Sequence, residues 1–349
     1  MAYTTINKST EHFNTKLYTG NGSTQSITGV GFQPDWVWIK NRGATTNHEL
    51  ADAVRGANKL LKSNDTDAEQ SNSYKITSFD SDGFGVGNDA NVNQSSTNIV
   101  SWSWKANGSG SANTDGSINS TVSVNTTAGF SIVSYTGNGS AGATIGHGLG
   151  ATPAVIIQKI RSSTGNWLVY HHKNTSAPET DFLKLNTTDA TADEVTIFND
   201  TAPTSSVFSV GTESTINGNG NTCIAYCFAE KTGYSKFGQY TANAAVDGNF
   251  IYTGFKPTFV LIKSSNSAQA GQDWFIYDSV RDTGNAATQT LQPNTSSAEE
   301  TNVAPIDILS NGFKLRTNTG RINGTSGEYI YMAFGQSLVG SNNVPCTAR

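Results

Sequence analysis

The chain has 349 residues, a net charge of −5 and only 14% charged residues, against about 25% in an ordinary globular protein. Its pI of about 5.5 excludes the basic footprint of a general nucleic-acid binder, and no apolar run approaches the ~18–20 residues that span a bilayer. Ser, Thr, Asn and 35 glycines abound while aromatics reach 10%, which predicts an all-β chain, not a disordered one.

From the N-terminus, residues 1–17 contain no apolar stretch, so no secretory leader is expected. Residues 18–105 then open a pattern that recurs. Tyr18-Thr-Gly-Asn-Gly is followed by Gly31-Phe-Gln-Pro34-Asp-Trp36-Val-Trp38-Ile-Lys40. Tyr135-Thr-Gly-Asn-Gly precedes Ala151-Thr-Pro153-Ala-Val-Ile-Ile-Gln-Lys159. Tyr240-Thr-Ala-Asn-Ala precedes Gly254-Phe-Lys-Pro257-Thr-Phe-Val-Leu-Ile-Lys263. A second block, Leu-x-x-Asn-x-x-x-Ala, falls at Leu61/Asn64/Ala68, Leu183/Asn186/Ala190 and Leu291/Asn294/Ala298. A third closes each unit at Val100–Trp104, Ile224–Phe228 and Ile330–Phe334.

Three blocks in one order, three times, predict three tandem β-sandwich domains at 18–105, 130–230 and 238–336. Each is expected to hold its own modest core. Residues 106–129, rich in Gly, Ser and Asn, read as a flexible linker and entry strand. Residues 231–237 read as a short joint, and 337–349 as a C-terminal tail. The prolines sit at strand starts, where a missing N–H costs no ladder bond. By period two, Val100, Trp102 and Trp104 share one face of the closing strand, and small residues such as Ser103, Cys227 and Ala333 share the other. Residues 48–61 have helix-like spacing, but Trp274–Arg281 at the same place reads as strand and turn, so strand and loop are expected in both.

Chemistry-bearing residues are few. Asp80-Ser-Asp82-Gly83 begins like a calcium loop but lacks its further ligands; repeat three has Ser310-Asn-Gly there, so a hairpin turn is expected. His171 and His172 point to opposite faces of any strand and are expected in a surface loop. Gly83–Gly87 and Gly146–Gly150 lack the strand–turn–helix setting of a phosphate loop. Asp52/Arg55 and Asp278/Arg281 recur, with His171 and Asn174 at the matching places in repeat two, and read as loop-fixing pairs. Cys223 and Cys227, about 13 Å apart on one strand, cannot form a disulfide, and Cys227 reads as a buried filler. No triad and no paired carboxylates stand out, so no catalytic residue, cofactor or metal is expected. The ligand-binding residues are unknown at this level.

The Tyr-Thr-Gly-Asn-Gly and Gly-Phe-x-Pro-Asp-Trp-Val-Trp-Ile-Lys blocks, with the closing aromatic strand, resemble a domain common in virion proteins of marine tailed bacteriophages. In those tail and tail-fibre proteins it often occurs in tandem. Tyr3–Thr10 and Val339–Pro345 resemble it as well. The likeness is clearest in repeat one and weakest in mid-repeat two, where Trp36 and Trp38 become Val155 and Ile157. It implies a β-sandwich, lectin or jelly-roll in type, with no catalytic residues to carry over. The implied role is a non-enzymatic virion structural protein: a tail fibre or receptor-binding appendage mediating host attachment. The alternative is a capsid decoration (head knob or fibre) protein, and a lesser one a glycan depolymerase. Residues 1–17 would then anchor the chain to the virion, where it resides after assembly in the host cytoplasm. The partners implied are other virion proteins of tail or capsid, copies of itself in a homo-oligomer (a trimer being one form), and a host-surface glycan or protein. Nucleic acid and membrane insertion are not expected.

Overall fold

The computed structural model describes residues 4–269 and 271–337, and these form antiparallel sheets arranged as an all-β sandwich fold. Each repeat builds one sheet in the same spatial order: entry strand, closing strand, proline strand, following strand. In repeat one these are Phe13–Thr19, Asn98–Trp104, Trp36–Asn41 and Glu49–Asp52. In repeat two they are Phe130–Thr136, Thr222–Phe228, Val155–Ile160 and Leu168–His171. In repeat three they are Ser235–Thr241, Glu328–Ser337, Phe255–Ser264 and Phe275–Asp278. A smaller outer sheet covers one face of each.

The two faces of these sheets do different jobs. Val37, Ile39 and Ile99 face the outer sheet of repeat one with Ile27 and Phe84. Ile156, Cys223, Ala225 and Cys227 do so in repeat two, and Val260, Ile262 and Ala333 in repeat three. The opposite faces carry the large side chains, and all three meet in a single cluster. Trp36, Trp102 and Trp104 there touch Tyr226, Phe228, Phe259 and Phe334 from the other repeats. Trp36 stacks on Tyr226 with ring centroids 4.3 Å apart.

The expectation of separate cores in series is therefore corrected. Each sandwich has a small private core, and its largest residues are spent on a shared one. The closing strand's narrow face (Ser101, Ser103) lets the outer sheet approach, so the aromatic face is left to find partners outside the repeat.

The boundaries shift accordingly. The entry strand of repeat one begins at Phe13, so the segment 1–17 contributes two core residues, Ile6 and Phe13, to the shared cluster. In 106–129 the expected strand is present and the linker part is structured too: Ser111–Asn113 and Ser120–Asn125 form a hairpin, and the second strand pairs with Phe130–Thr136. Val122 and Val124 alternate inward there, a β-branched signal masked by the polar composition around it. The joint 231–237 is shorter than expected, because repeat three's entry strand starts at Ser235. Of the tail 337–349, residues 338–349 lie outside the described residues. Residues 48–61 are strand, turn and strand. Pro34 and Pro153 precede their strands, whereas Pro257 lies inside one, beside a register shift between Pro257 and Phe259.

The same contacts recur at three seams, so the repeats close into a pseudo-threefold ring. Glu69 N–H donates to Arg161 O, Glu299 N–H to Arg42 O, and Thr191 N–H to Ser265 O, each at 2.9 Å. The recurring lysines are buried at these seams: Lys159 Nζ donates to Thr66 O, Lys263 Nζ to Thr188 O, and Lys40 Nζ to Ser296 O. Burial pushes each ammonium down to about 8. Trp167 Nε1 donates to Lys62 O and Trp274 Nε1 to Lys184 O across the seams.

Candidate ligand groove

Most motifs singled out in the sequence are structural. The tyrosine of each Tyr-Thr-x-Asn block donates to a carbonyl one residue before a buried asparagine: Tyr18 to Val92, Tyr135 to Ile216, Tyr240 to Ile322. The block's own asparagine donates its main-chain N–H to that buried amide, Asn93, Asn217 or Asn323. In the Leu-x-x-Asn block, Asn64, Asn186 and Asn294 accept from the main-chain N–H of His48, Trp167 and Trp274.

The remaining candidates behave likewise. Asp82 lies in a hairpin turn and accepts from Gly29 and Gly31 N–H, which holds its carboxyl below the usual range. His147 of the second glycine run accepts from Leu149 N–H and donates to Thr204 O. Cys223 and Cys227 are free and buried, and burial pushes the Cys223 thiol up to about 12. Asp52/Arg55 and Asp278/Arg281 are fully buried ion pairs. Each acid also accepts from the neighbouring repeat, so the pairs bridge repeats as well as fixing loops. Among the described residues no three His, Cys, Asp or Glu side chains gather as metal ligands would.

The histidine pair requires a correction. His171 is not in a surface loop. It ends a strand and is buried at the seam of repeats two and three. Its Nδ1 accepts from Lys173 N–H and its Nε2 donates to Tyr331 O at 3.2 Å. Burial, reinforced by His172, pulls its pKa down to about 3.

His172, pointing the other way, opens onto a groove of about 590 Å3 along the same seam. One wall is the outer edge of repeat three's entry strand, Ser235–Thr241. The other is Phe250–Tyr252, the edge strand of the outer sheet. Strand alternation buries Ile251 and turns Phe250 and Tyr252 outward, 45% and 56% exposed. Tyr74 is the other exposed aromatic among the described residues. Gly312, opposite Tyr252, leaves room for the Phe250 ring: a Cβ there would lie 2.9 Å from it.

Sequence reasoning missed this site, yet the repeats carry its signal. The matching outward positions are Ser26 and Thr28 in repeat one and Thr144 and Gly146 in repeat two. Only repeat three makes them aromatic.

Fold and groove together define the class: an all-β protein of three sandwiches closed on a common aromatic core, with one aromatic-edged groove at a seam. The chain belongs to the family described as a domain of unknown function, DUF7483, which it matches over residues 8–337. That span takes in all three repeats as one unit. No curated protein and no solved structure matches the chain.

Proposed function

We propose that the protein is a non-enzymatic structural component of a tailed-phage virion, specifically a tail fibre or receptor-binding appendage. The resemblance set out from the Tyr-Thr-Gly-Asn-Gly and Trp-Val-Trp-Ile-Lys blocks supports the virion setting. The observation that carries attachment is the exposed pair Phe250 and Tyr252 on the groove at the seam of repeats two and three. Exposed aromatic faces beside amide side chains suit recognition of a surface ligand. Glu230 and His172, 3.9 Å apart on the groove, both bond to the Phe237 main chain, which supports a positioning role for them.

Gold-labelled antibodies on purified particles, together with competition of phage adsorption by the purified protein, test this reading. Label on the tail and reduced adsorption are expected. Label spread over the head with adsorption unchanged would overturn it in favour of capsid decoration.

A further inference from the structure

We propose that the groove between repeats two and three is a binding site for an oligosaccharide, a proposal that rests on the attachment reading for its biological role. Phe250 and Tyr252 stand two residues apart on one face of an edge strand, giving two adjacent apolar platforms. The C–H faces of pyranose rings stack on such platforms. Asn249 and Gln239 border the same groove and supply amide groups of the kind that pair with sugar hydroxyls. The aromatic pair is confined to repeat three although the fold repeats three times. It is therefore not required by the sandwich itself.

The edge strand beside the groove offers a second occupant, an added β-strand. In repeat two the corresponding edge, Phe130–Thr136, is indeed covered by Ser120–Asn125. Strand addition needs a run of free main-chain groups, and repeat three has engaged several of them. Ser235 N–H donates to Lys231 O, and Phe237 N–H to Glu230 Oε1 at 2.8 Å. His172 Nε2 donates to Phe237 O at 2.7 Å, and Asn249 Nδ2 to Thr241 O at 2.7 Å. Both main-chain groups of Phe237, in the middle of the edge, are engaged, and this interrupts the run on either side of it. The edge offers a strand no continuous run, while the aromatic wall stays open.

Saturation-transfer NMR of the full chain with malto-, cello- and chito-oligosaccharides and uronate oligomers tests the proposal. Transfer to at least one of them is expected. The double substitution Phe250→Ala and Tyr252→Ala should weaken that binding by about tenfold or more, with thermal unfolding unchanged because both side chains are exposed. Tyr74→Ala, at an exposed aromatic elsewhere, should leave binding intact. The proposal is overturned if no saccharide of the panel binds, if binding survives the double substitution, or if an extended Ser/Thr/Val peptide binds there instead. Saccharide binding without any effect of the protein on adsorption would sink the attachment reading alone.

Discussion

Trp102 Nε1 donates a 3.0 Å hydrogen bond to Asp278 Oδ2, joining repeat one to repeat three across 176 positions of chain. The relationship repeats one seam away, where Tyr226 OH donates to Asp52 Oδ2 at 2.7 Å. At the third seam the donor's place is taken by Met332, which has no N–H or O–H to give. The acid is absent there too: His171 stands in its place, neutral and bonded to Tyr331 O. A buried carboxylate is tolerated where the neighbouring repeat supplies a donor and is replaced where it does not. The partners further out change together in the same way. Glu69–Arg161 and Glu299–Arg42 are charged at two seams, and Thr191 and Ser265 are neutral at the third.

Removing the donor should expose this coupling, most cleanly in Tyr226→Phe, which keeps the ring, whereas Trp102→Phe also removes buried volume. Trp102→Phe and Tyr226→Phe are each expected to cost about 1–3 kcal/mol, the price of leaving a buried acceptor short of a partner. Met332→Leu should cost under about 1.5 kcal/mol, as a volume-conserving apolar swap. Guanidinium unfolding of the three variants measures the contrast, and equal losses at all three would contradict it.

Breaking an ion pair from the acid side should be more severe. Asp278→Ala takes from Arg281, whose side chain is 0% exposed, the acid on its Nε and leaves it only Glu299; breaking a buried pair costs up to about 3–5 kcal/mol. Chemical denaturation of this variant beside Lys8→Ala, at a well-exposed pair, should separate a large loss from a negligible one.

A single repeat cut from the chain should not fold. Residues 130–230 alone would expose Phe130, Ile132, Tyr226 and Phe228, which are buried only against the other repeats' side of the shared cluster. Circular dichroism and size exclusion of that fragment should report an unfolded or aggregated chain. The full protein should unfold in one cooperative transition followed alike by tryptophan fluorescence and far-UV dichroism.

Acid should weaken the seam of repeats two and three. The His171 pKa lies at about 3 in the folded chain and near 6.5 unfolded. Between those values the unfolded chain binds the extra proton, so this contribution to stability is lost as pH falls from about 6.5 towards 3. Glu49, raised to about 7 by burial, contributes the opposite slope between its unfolded value of about 4.3 and 7. The difference between wild type and His171→Gln isolates the histidine: the variant's stability should fall less steeply below pH 6.5.

On the alkaline side the seam lysines act in the same sense as His171. With folded values of about 8 against about 10.4 unfolded, the unfolded chain holds more protons between the two. Stability should therefore rise with pH from about 8 until the buried tyrosines, raised by burial, oppose it above about 10. Lys159→Met should flatten that rise in unfolding curves collected across pH 7.5–10.

The repeats and the turn at Asp82 were legible because local periodicity and turn chemistry are written in neighbouring residues. Cys227 as a filler was legible for the same reason: its neighbours on the strand face are small. The groove was half legible, since comparing Ser26 and Thr28 with Phe250 and Tyr252 shows which repeat is different. That comparison does not show what lies opposite. The hairpin at 111–125 was hidden by a composition that also suits linkers, and it forms because the neighbouring sheet edge offers it partners.

The sequence by itself determined an all-β chain of three copies of one apolar strand set, because side-chain alternation and turn residues act over a few positions. Only the tertiary structure decided that the wide aromatic faces pack against one another. A residue's period says which face it occupies, but not whether that face meets its own outer sheet or another repeat. The same holds for His171, Asp52 and Asp278. Their burial and hydrogen bonding are set by Tyr331, Tyr226 and Trp102, which are distant in the chain and adjacent only once the ring has closed.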